Sequence, residues 1–282
     1  MKEKKRYVDS SREALRDKDV CAGLSAMQFD ILIREHPTTA LEYPHVCDRL
    51  NPEQFNYCVR SKSWTAIAHA HSCNRLLQDA EQFDFCVREN PDTALEFEHA
   101  LKHLDAEQFN FCVHEYPDVA LRTEYVCARL DAQQYNYCVQ EEPRVALEYP
   151  LPCKWLTRAQ FDGCIKLYPL TALACEHACA RLDDAQLDYC AKAESGAALE
   201  YEHACGRLSD KQFNFCVRSN PWVALAHQHA FRRLTAKQFK LCLKKEPLTP
   251  LQYGEVYSRM MQKEIRDLYK DKPLGHGVDK MG

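Results

Sequence analysis

Glycine is scarce in this chain, and long apolar runs are absent from it. Only 8 of the 282 residues are glycine, so few flexible joints are expected and no glycine-rich phosphate loop is found. No stretch of 18 apolar residues occurs, which excludes a membrane-spanning helix of ordinary length. The residues after Met1 to Arg6 are polar, so no signal peptide is expected. The sequence also has no His-Glu-x-x-His zinc motif and no Gly-x-Ser-x-Gly elbow, and we expect no enzymatic activity.

Charge and cysteine content narrow the class of protein further. The net charge is −4, which argues against strong non-specific binding to nucleic acid. Sixteen cysteines would indicate a disulfide scaffold in a small secreted protein. In a chain of this size without an export signal they favour a reducing, cytoplasmic location. Fifteen of the sixteen fall into two columns of an internal repeat, where free cysteine packs as a small apolar residue.

The repeat is marked by glutamine followed by Phe, Tyr or Leu, at spacings of 26, 28 and then six times 26 residues. The glutamines define position 0: Gln28, Gln54, Gln82, Gln108, Gln134, Gln160, Gln186, Gln212 and Gln238. Position +4 is Cys in eight repeats, +9 is Pro in seven, +12 is Ala in eight and +19 is Cys in six. Position +22 is Leu in all but the last repeat, where Met260 stands. Recurrence of this kind predicts a helical repeat array.

Each repeat contains the start and the end of a helix. An N-capping residue precedes every glutamine by three positions: Ser25, Asn51, Asp79, Asp105, Asp131, Thr157, Asp183, Ser209 and Thr235. With glutamine at N3 this is a capping box. Apolar residues at +1, +4 and +5 give helix A a buried face, which the aromatic at +3 widens toward the neighbouring repeat. The proline at +9 ends helix A and begins helix B.

The predicted fold is therefore all-α, an α-solenoid of nine 26-residue two-helix repeats with half-repeat caps. Helix B is expected to be kinked or split where Pro44, Pro150 and Pro152 lie inside it. A single solenoid domain is predicted over 11–274, with capping half-repeats at 11–24 and 259–274. Flexible tails are predicted at 1–10 and 275–282.

The pattern resembles known short-repeat α-solenoids over nearly the whole chain, as in the segment from Leu104 to Pro117, Leu-Asp-Ala-Glu-Gln-Phe-Asn-Phe-Cys-Val-His-Glu-Tyr-Pro. It is similar to leucine-rich-variant repeats and to helical repeats of about two dozen residues in domains of unknown function. The period here is slightly longer, and no cluster of N-terminal cysteines could hold an iron–sulfur centre. The resemblance implies the fold and no activity.

Two columns of polar residues, histidine at +17 and glutamine at 0, invite hypotheses about structure. Histidine recurs at +17, two residues before the +19 cysteine, but side chains at that spacing on a helix point about 160° apart and cannot hold one ion. No metal and no cofactor are therefore predicted. Nine glutamines where glutamate would also cap suggest that the amide group donates a hydrogen bond to a carbonyl in the adjacent repeat. The +17 histidines have two interpretations, a similar bond between repeats or simple packing in the core.

Candidate contact residues lie in the variable and the basic columns. Position +10 differs between repeats: Thr38, Trp64, Asp92, Asp118, Arg144, Leu170, Gly196, Trp222 and Leu248. Exposed tryptophan is typical of interfaces, so Trp64 and Trp222, with Arg144, are candidate contacts; the alternative is local packing over the turn. A basic run follows near the C-terminus: Arg232, Arg233, Lys237, Lys240, Lys244 and Lys245. A basic column lies at +6 (Arg34, Arg60, Arg88, Lys166, Lys192 and Arg218), and +21 is mostly Arg (Arg49, Arg75, Arg129, Arg181, Arg207 and Arg233).

These observations favour a non-enzymatic scaffold that binds a protein or peptide partner. The alternative is an RNA- or DNA-binding repeat protein in which the basic columns follow the phosphates. A purely structural interpretation of the same columns is that their cations complement helix dipoles and pair with carboxylates on their own helix. No membrane association is expected. The identity of the partner and the oligomeric state stay open.

Overall fold

The computed structural model describes residues 11–246, and all regular secondary structure among them is helical. The chain groups into two compact units, 1–155 and 156–282, described here over 11–155 and 156–246. None of the helices in these ranges is long and apolar enough to cross a membrane. The predicted half-repeat 259–274, both tails, Leu248 and Met260 lie outside the described residues.

Helix A has ten residues in every repeat and begins directly after the predicted cap. The nine A helices within 11–246 are Ala26–Glu35, Pro52–Ser61, Ala80–Glu89, Ala106–Glu115, Ala132–Glu141, Arg158–Leu167, Asp184–Ala193, Asp210–Ser219 and Ala236–Lys245. Each cap side chain accepts a hydrogen bond from the backbone N–H of its position-0 glutamine, and eight form a complete capping box. The exception is Asp79, which follows the two-residue insertion Leu77-Gln78. The capping-box prediction is confirmed at the other eight.

Two helices occupy the span of helix B in each of the eight repeats described there. The split expected where Pro44, Pro150 and Pro152 lie is therefore confirmed, and the prediction of a single helix B is wrong in the other six repeats. The B1 helices are Pro37–Glu42, Ser63–Ala68, Pro91–Glu96, Pro117–Arg122, Pro143–Glu148, Pro169–Ala174, Ser195–Glu200 and Pro221–Ala226. The B2 helices are Pro44–Cys47, Ala70–Leu76, Glu98–Leu101, Glu124–Cys127, Pro150–Trp155, Glu176–Arg181, Glu202–Arg207 and Gln228–Arg233. Residues 11–16 and Lys18–Gly23 are also helical, in the predicted N-terminal half-repeat.

Proline does not cause this split, since it occurs equally in repeats that lack a proline there. The residue at +15 is extended in all eight repeats, for example Tyr43 (φ −105°, ψ 121°) and Thr123 (φ −92°, ψ 109°). Aromatic and β-branched residues, which are mediocre helix formers, predominate at this position. The break leaves carbonyl groups of the last B1 turn without helical donors, and side chains of the following repeat supply replacements.

The core is formed by the predicted apolar columns. Phe109, Cys112 and Val113 on helix A are buried, as are Ala146 and Leu147 on B1. All sixteen cysteines are free, and the fifteen in the two columns are buried, whereas Cys175 is half-buried. Within each unit an A helix packs against the next A helix, and a B1 helix packs against the next B1 and the next A helix. Apolar packing is thus continuous from one repeat to the next within a unit.

Candidate functional site

The position-0 glutamines form a ladder of hydrogen bonds between successive A helices. Gln54 Nε2 donates to Asp30 Oδ1 at 3.0 Å, and Gln108 Nε2 donates to Asp84 Oδ1 at 3.0 Å. Further rungs join Gln134 to Asn110, Gln186 to Asp162 and Gln238 to Asn214. The hypothesis of an amide bond to the adjacent repeat is confirmed at these rungs. The acceptor at these rungs is the side chain at +2, however, and not a backbone carbonyl; Gln212 instead uses a carbonyl, that of Asp184 at 3.5 Å.

The ladder is interrupted at the insertion. Gln82 Nε2 donates to its own cap, Asp79, at 2.8 Å, and its Oε1 is buried without a hydrogen-bond partner. The cap itself has changed conformation, with φ −133° and ψ 98° at Asp79 against −70° and 178° at Asp105. Two extra residues therefore displace the start of this helix A enough to lose both the capping box and the rung.

Replacing Gln108 by Glu is expected to lower the free energy of unfolding by about 1 kcal/mol, because one rung loses its donor. The substitution also brings a carboxylate against that of Asp84, whose pKa lies below its ordinary value because Gln108 and then Arg88 donate to it. Urea denaturation would measure the change. Gln133→Glu is the matched control, since Gln133 is exposed in the first helical turn, where a negative charge is favourable. Equal stability of the two variants would contradict the ladder.

The +2 acceptors also neutralise part of the basic column at +6. Asp30 Oδ2 accepts from Arg34 Nε at 3.0 Å, and Asp84 Oδ2 from Arg88 Nε at 2.8 Å; Lys192 pairs in the same way with Asp188. Ordinary pairing along one helix is confirmed for these three cations. Arg60 donates a hydrogen bond to Asn56, which is neutral, so the positive charge of Arg60 is not compensated. Neither Lys166 nor Arg218 has a carboxylate partner within 11–246.

The +21 arginines hold successive repeats together. Arg129 donates from Nη1 to the carbonyl of Leu101 at 2.6 Å and from Nη2 to that of Leu104 at 2.9 Å. Its guanidinium lies 4.2 Å from the ring centroid of Phe109. Arg49, Arg75, Arg207 and Arg233 make the same pair of bonds to the preceding B2 end. The planar fork of arginine suits two acceptors and one ring face at once.

Arg233, which the sequence predicts among the partner-binding residues, has this structural role as well. It donates to the carbonyls of Cys205 and Leu208 and lies over Phe213. The guanidinium group of Arg233 is therefore bound to residues of the same unit. The sequence did not indicate this, because backbone carbonyl acceptors leave no mark in the side-chain pattern.

The +17 histidines supply the donor that the broken B helix lacks. Nε2 of His71 lies 2.7 Å from the carbonyl oxygen of Leu41, and the same atom of His203 lies 2.7 Å from that of Leu173. His45, His99 and His229 make the equivalent contact. The acceptor is the +13 carbonyl of the preceding B1 helix, or, for His45, that of Leu15 in the N-terminal half-repeat. The hypothesis of a bond between repeats is confirmed at these five histidines.

The +10 position, in contrast, is available at the surface. Trp64 and Trp222 occupy the second residue of their B1 helices and are 47% and 50% exposed. Leu170 is 48% exposed at the same position. Arg144 is exposed as well, and it pairs with Glu148 on its own helix at 2.7 Å. Local packing over the turn therefore leaves about half of each tryptophan side chain exposed.

A basic groove lies between the A helices Asp210–Ser219 and Ala236–Lys245 and has a volume of about 920 Å³. Its apolar floor includes Phe213, Val217 and Leu241. The cations lining it are Arg218, Arg233, Lys237, Lys240, Lys244 and Lys245, and the one carboxylate in the lining is Asp210. The structure thus brings five residues of the predicted basic run together with Arg218 of the basic column, whereas Arg232 is not part of the lining.

Sequence reasoning overlooked the +2 column. Position +2 is Asp or Asn in eight of the nine repeats and Lys240 in the ninth. That regularity was visible in the sequence, and it would have identified the acceptors of the glutamine ladder. It would also have marked the last A helix as different from the other eight.

Among the residues that the structure describes, no group of three or more His, Cys, Asp or Glu side chains could hold a metal ion. Comparison with known proteins found no matching family model, no curated protein and no solved structure.

Proposed function

We propose that this chain is an α-solenoid of nine tandem repeats that acts as a non-enzymatic scaffold for a protein or peptide partner; the first eight repeats each have one A, one B1 and one B2 helix. The recurrence of the same three helices and the packing of each on its successor support the solenoid. A cytoplasmic location is part of the proposal, in keeping with sixteen free cysteines.

The binding role is supported by a difference between the columns: some of them form bonds to the neighbouring repeat, whereas another is exposed at the surface. Glutamine, arginine and histidine at 0, +21 and +17 bind the neighbouring repeat, and these positions vary little. Within residues 11–246, position +10 makes no comparable bond between repeats, and it exposes two tryptophans by about half. Six residue types occupy this position in the nine repeats. Large aromatic side chains exposed on rigid helices are frequent hot spots of protein interfaces.

A thiol nucleophile has little support among the column cysteines. Burial raises the pKa of Cys112 and Cys138 to about 12, so these side chains are neutral thiols at physiological pH. Reactive cysteines instead have lowered pKa values in electropositive, accessible surroundings. This argument supports a binding role for the chain over thiol catalysis.

Nucleic-acid binding is the second candidate function, and the unneutralised lysines of the basic groove favour it. Two observations argue against nucleic-acid binding. Arginines at +21 donate hydrogen bonds to backbone carbonyls of the preceding repeat, and three cations at +6 are paired with carboxylates. A continuous basic stripe along the repeats is therefore not available in the described residues. Protein or peptide recognition remains the better supported proposal.

The double variant Trp64→Ala/Trp222→Ala is expected to weaken partner binding at least about tenfold, because each hot-spot tryptophan contributes about 2 kcal/mol. The partner is first isolated by affinity purification with the full chain from native lysate, divided into nuclease-treated and untreated halves. Binding of the purified partner is then measured by calorimetry. Trp155→Ala is the matched control, since Trp155 is also exposed (43%) but stands at +21.

Unchanged binding by the double variant would refute the role of the +10 position. Loss of the captured partner after nuclease or high-salt treatment, with nucleic acid in the untreated half, would establish the second candidate instead.

A further inference from the structure

The last A helix of the described chain differs in charge from all the others. Ala236–Lys245 contains four lysines and no Asp or Glu, whereas each of the eight preceding A helices contains at least one carboxylate. At +2, where the other helices carry the acceptor of the ladder, this helix carries Lys240. The residue that would pair with the cation at +6 is therefore itself a cation.

The lysines of this helix have no carboxylate partner among residues 11–246. Lys237, Lys240, Lys244 and Lys245 are exposed, and the one hydrogen bond found for them joins Lys245 Nζ to the carbonyl of Arg218 at 3.0 Å. Four ammonium groups and the Arg218 guanidinium thus border one groove, and Asp210 is the single carboxylate there. Such an uncompensated cluster attracts an anionic ligand.

A cavity at the equivalent place in the first unit shows that this charge is not a general property of the repeat. It lies between the A helices Pro52–Ser61 and Ala80–Glu89, with a volume of about 480 Å³. Position −1 is Glu81 there and Lys237 in the basic groove. Its lining has two carboxylates, Asp79 and Glu81, and one cation, Arg60. Equivalent backbone positions therefore carry opposite net charge.

The dimensions of the groove favour a peptide over a nucleic acid. A ten-residue helix is about 15 Å long, which matches a short extended peptide with several carboxylates. Strong nucleic-acid binding instead requires many phosphate contacts along an extended surface, and half of the Lys and Arg side chains on the other A helices are paired with carboxylates. The apolar floor formed by Phe213, Val217 and Leu241 adds a place for an apolar side chain between acidic ones.

Residues 247–282 carry no excess of negative charge that would match the groove. Residues 247–282 contain five acidic residues (Glu255, Glu264, Asp267, Asp271 and Asp279) and six basic ones (Arg259, Lys263, Arg266, Lys270, Lys272 and Lys280). Charge complementarity therefore favours a ligand from another molecule.

We infer that the groove between Asp210–Ser219 and Ala236–Lys245 binds an acidic peptide segment of a partner protein, with Lys237, Lys240 and Lys244 holding its carboxylates. This inference rests on the proposed function as a binding scaffold and names the chemistry of one of its contacts. The ligand is an extended segment rich in Asp and Glu with an apolar residue between them.

The test is fluorescence anisotropy of the full chain with a labelled decapeptide of glutamates interrupted by leucine. Two further probes are the same peptide with every glutamate replaced by glutamine, and a single-stranded RNA of similar total charge. The triple variant Lys237→Gln/Lys240→Gln/Lys244→Gln is expected to weaken binding of the acidic peptide at least about tenfold, as is the glutamine peptide. Lys18→Gln/Lys62→Gln/Lys154→Gln is the matched control, since it removes three exposed lysines elsewhere and should change affinity less than about twofold.

Equal binding of the acidic peptide by the triple variant and the wild type would overturn the inference, and so would RNA binding as tight as that of the peptide. The outcome is separable from the proposed function. A captured partner whose affinity is unchanged in the triple variant would leave the scaffold role standing and remove the groove from it. Specific binding of the acidic peptide, with no partner found in the capture experiment, would leave the groove standing and count against the scaffold role.

Discussion

Raising the pH from about 8 to about 10.5 is expected to unfold this protein cooperatively, because many buried thiols cannot ionise in the folded state. Burial raises the pKa of six +4 cysteines from 9.0 to about 12: Cys58, Cys86, Cys112, Cys138, Cys190 and Cys216. It raises the pKa of four others to about 11: Cys47, Cys73, Cys127 and Cys242.

The direction follows from proton binding. Below pH 9 both the folded and the unfolded chain hold these protons, so the thiols do not change stability with pH. Between the unfolded pKa of 9.0 and the folded values of about 11 to 12, the folded chain binds more protons and stability falls as pH rises. Each thiol contributes about 1.4 kcal/mol per pH unit in that window. Ten thiols together exceed the usual 5–15 kcal/mol stability of a folded domain within about one to two units.

Thermal unfolding followed by circular dichroism at several pH values, in the presence of a reductant, would measure this loss. The variant Cys112→Ala/Cys138→Ala removes two of the titrating groups, so its stability should fall less steeply with pH than that of the wild type. The comparison of slopes separates thiol ionisation from general alkaline effects such as lysine deprotonation. A melting temperature that stays constant up to about pH 10.5 would contradict the prediction.

Replacing Arg75 by Ala is expected to lower the free energy of unfolding by about 2–3 kcal/mol, since hydrogen bonds from a charged group each contribute roughly 1.5–3 kcal/mol. Arg75 is half-buried, and its Nη2 donates to the carbonyl of Leu50 at 2.7 Å. Its Nη1 donates to the carbonyl of Cys47, and its guanidinium lies 4.3 Å from the ring centroid of Phe55. The substitution leaves two carbonyls at the end of the preceding B2 helix without this donor.

Urea denaturation of three variants would check this result. Arg75→Lys should recover only part of the loss, because an ammonium group cannot serve two carbonyls and a ring face as the guanidinium does. Arg60→Ala is the matched control, since Arg60 is exposed and bonds only to Asn56 on its own helix; its cost should stay below about 0.5 kcal/mol. If Arg75→Ala costs no more than Arg60→Ala, the +21 column has no role in stacking the repeats.

Part of the candidate site was accessible from the sequence. The basic run near the C-terminus is visible as a string of lysines and arginines, and the groove indeed contains Lys237, Lys240, Lys244 and Lys245. The sequence did not show that Arg233 bonds to backbone carbonyls of the preceding repeat, or that Arg218 lies in the same groove. These depend on which residues of two different helices face each other, and that arrangement is set by packing between repeats.

The sequence by itself determined where the A helices begin and end and which columns form the core. Capping boxes, the proline at +9 and apolar periodicity act within a few residues of the chain, so their outcome is fixed locally. The tertiary structure alone decided that helix B is divided and that Gln, Arg and His side chains form hydrogen bonds between repeats. Their acceptors lie 24 to 32 residues away, as in Gln54 to Asp30 and His99 to Ile67. Many of those acceptors are backbone carbonyls, which every residue possesses, so only the packed repeats reveal which carbonyls lack a helical donor.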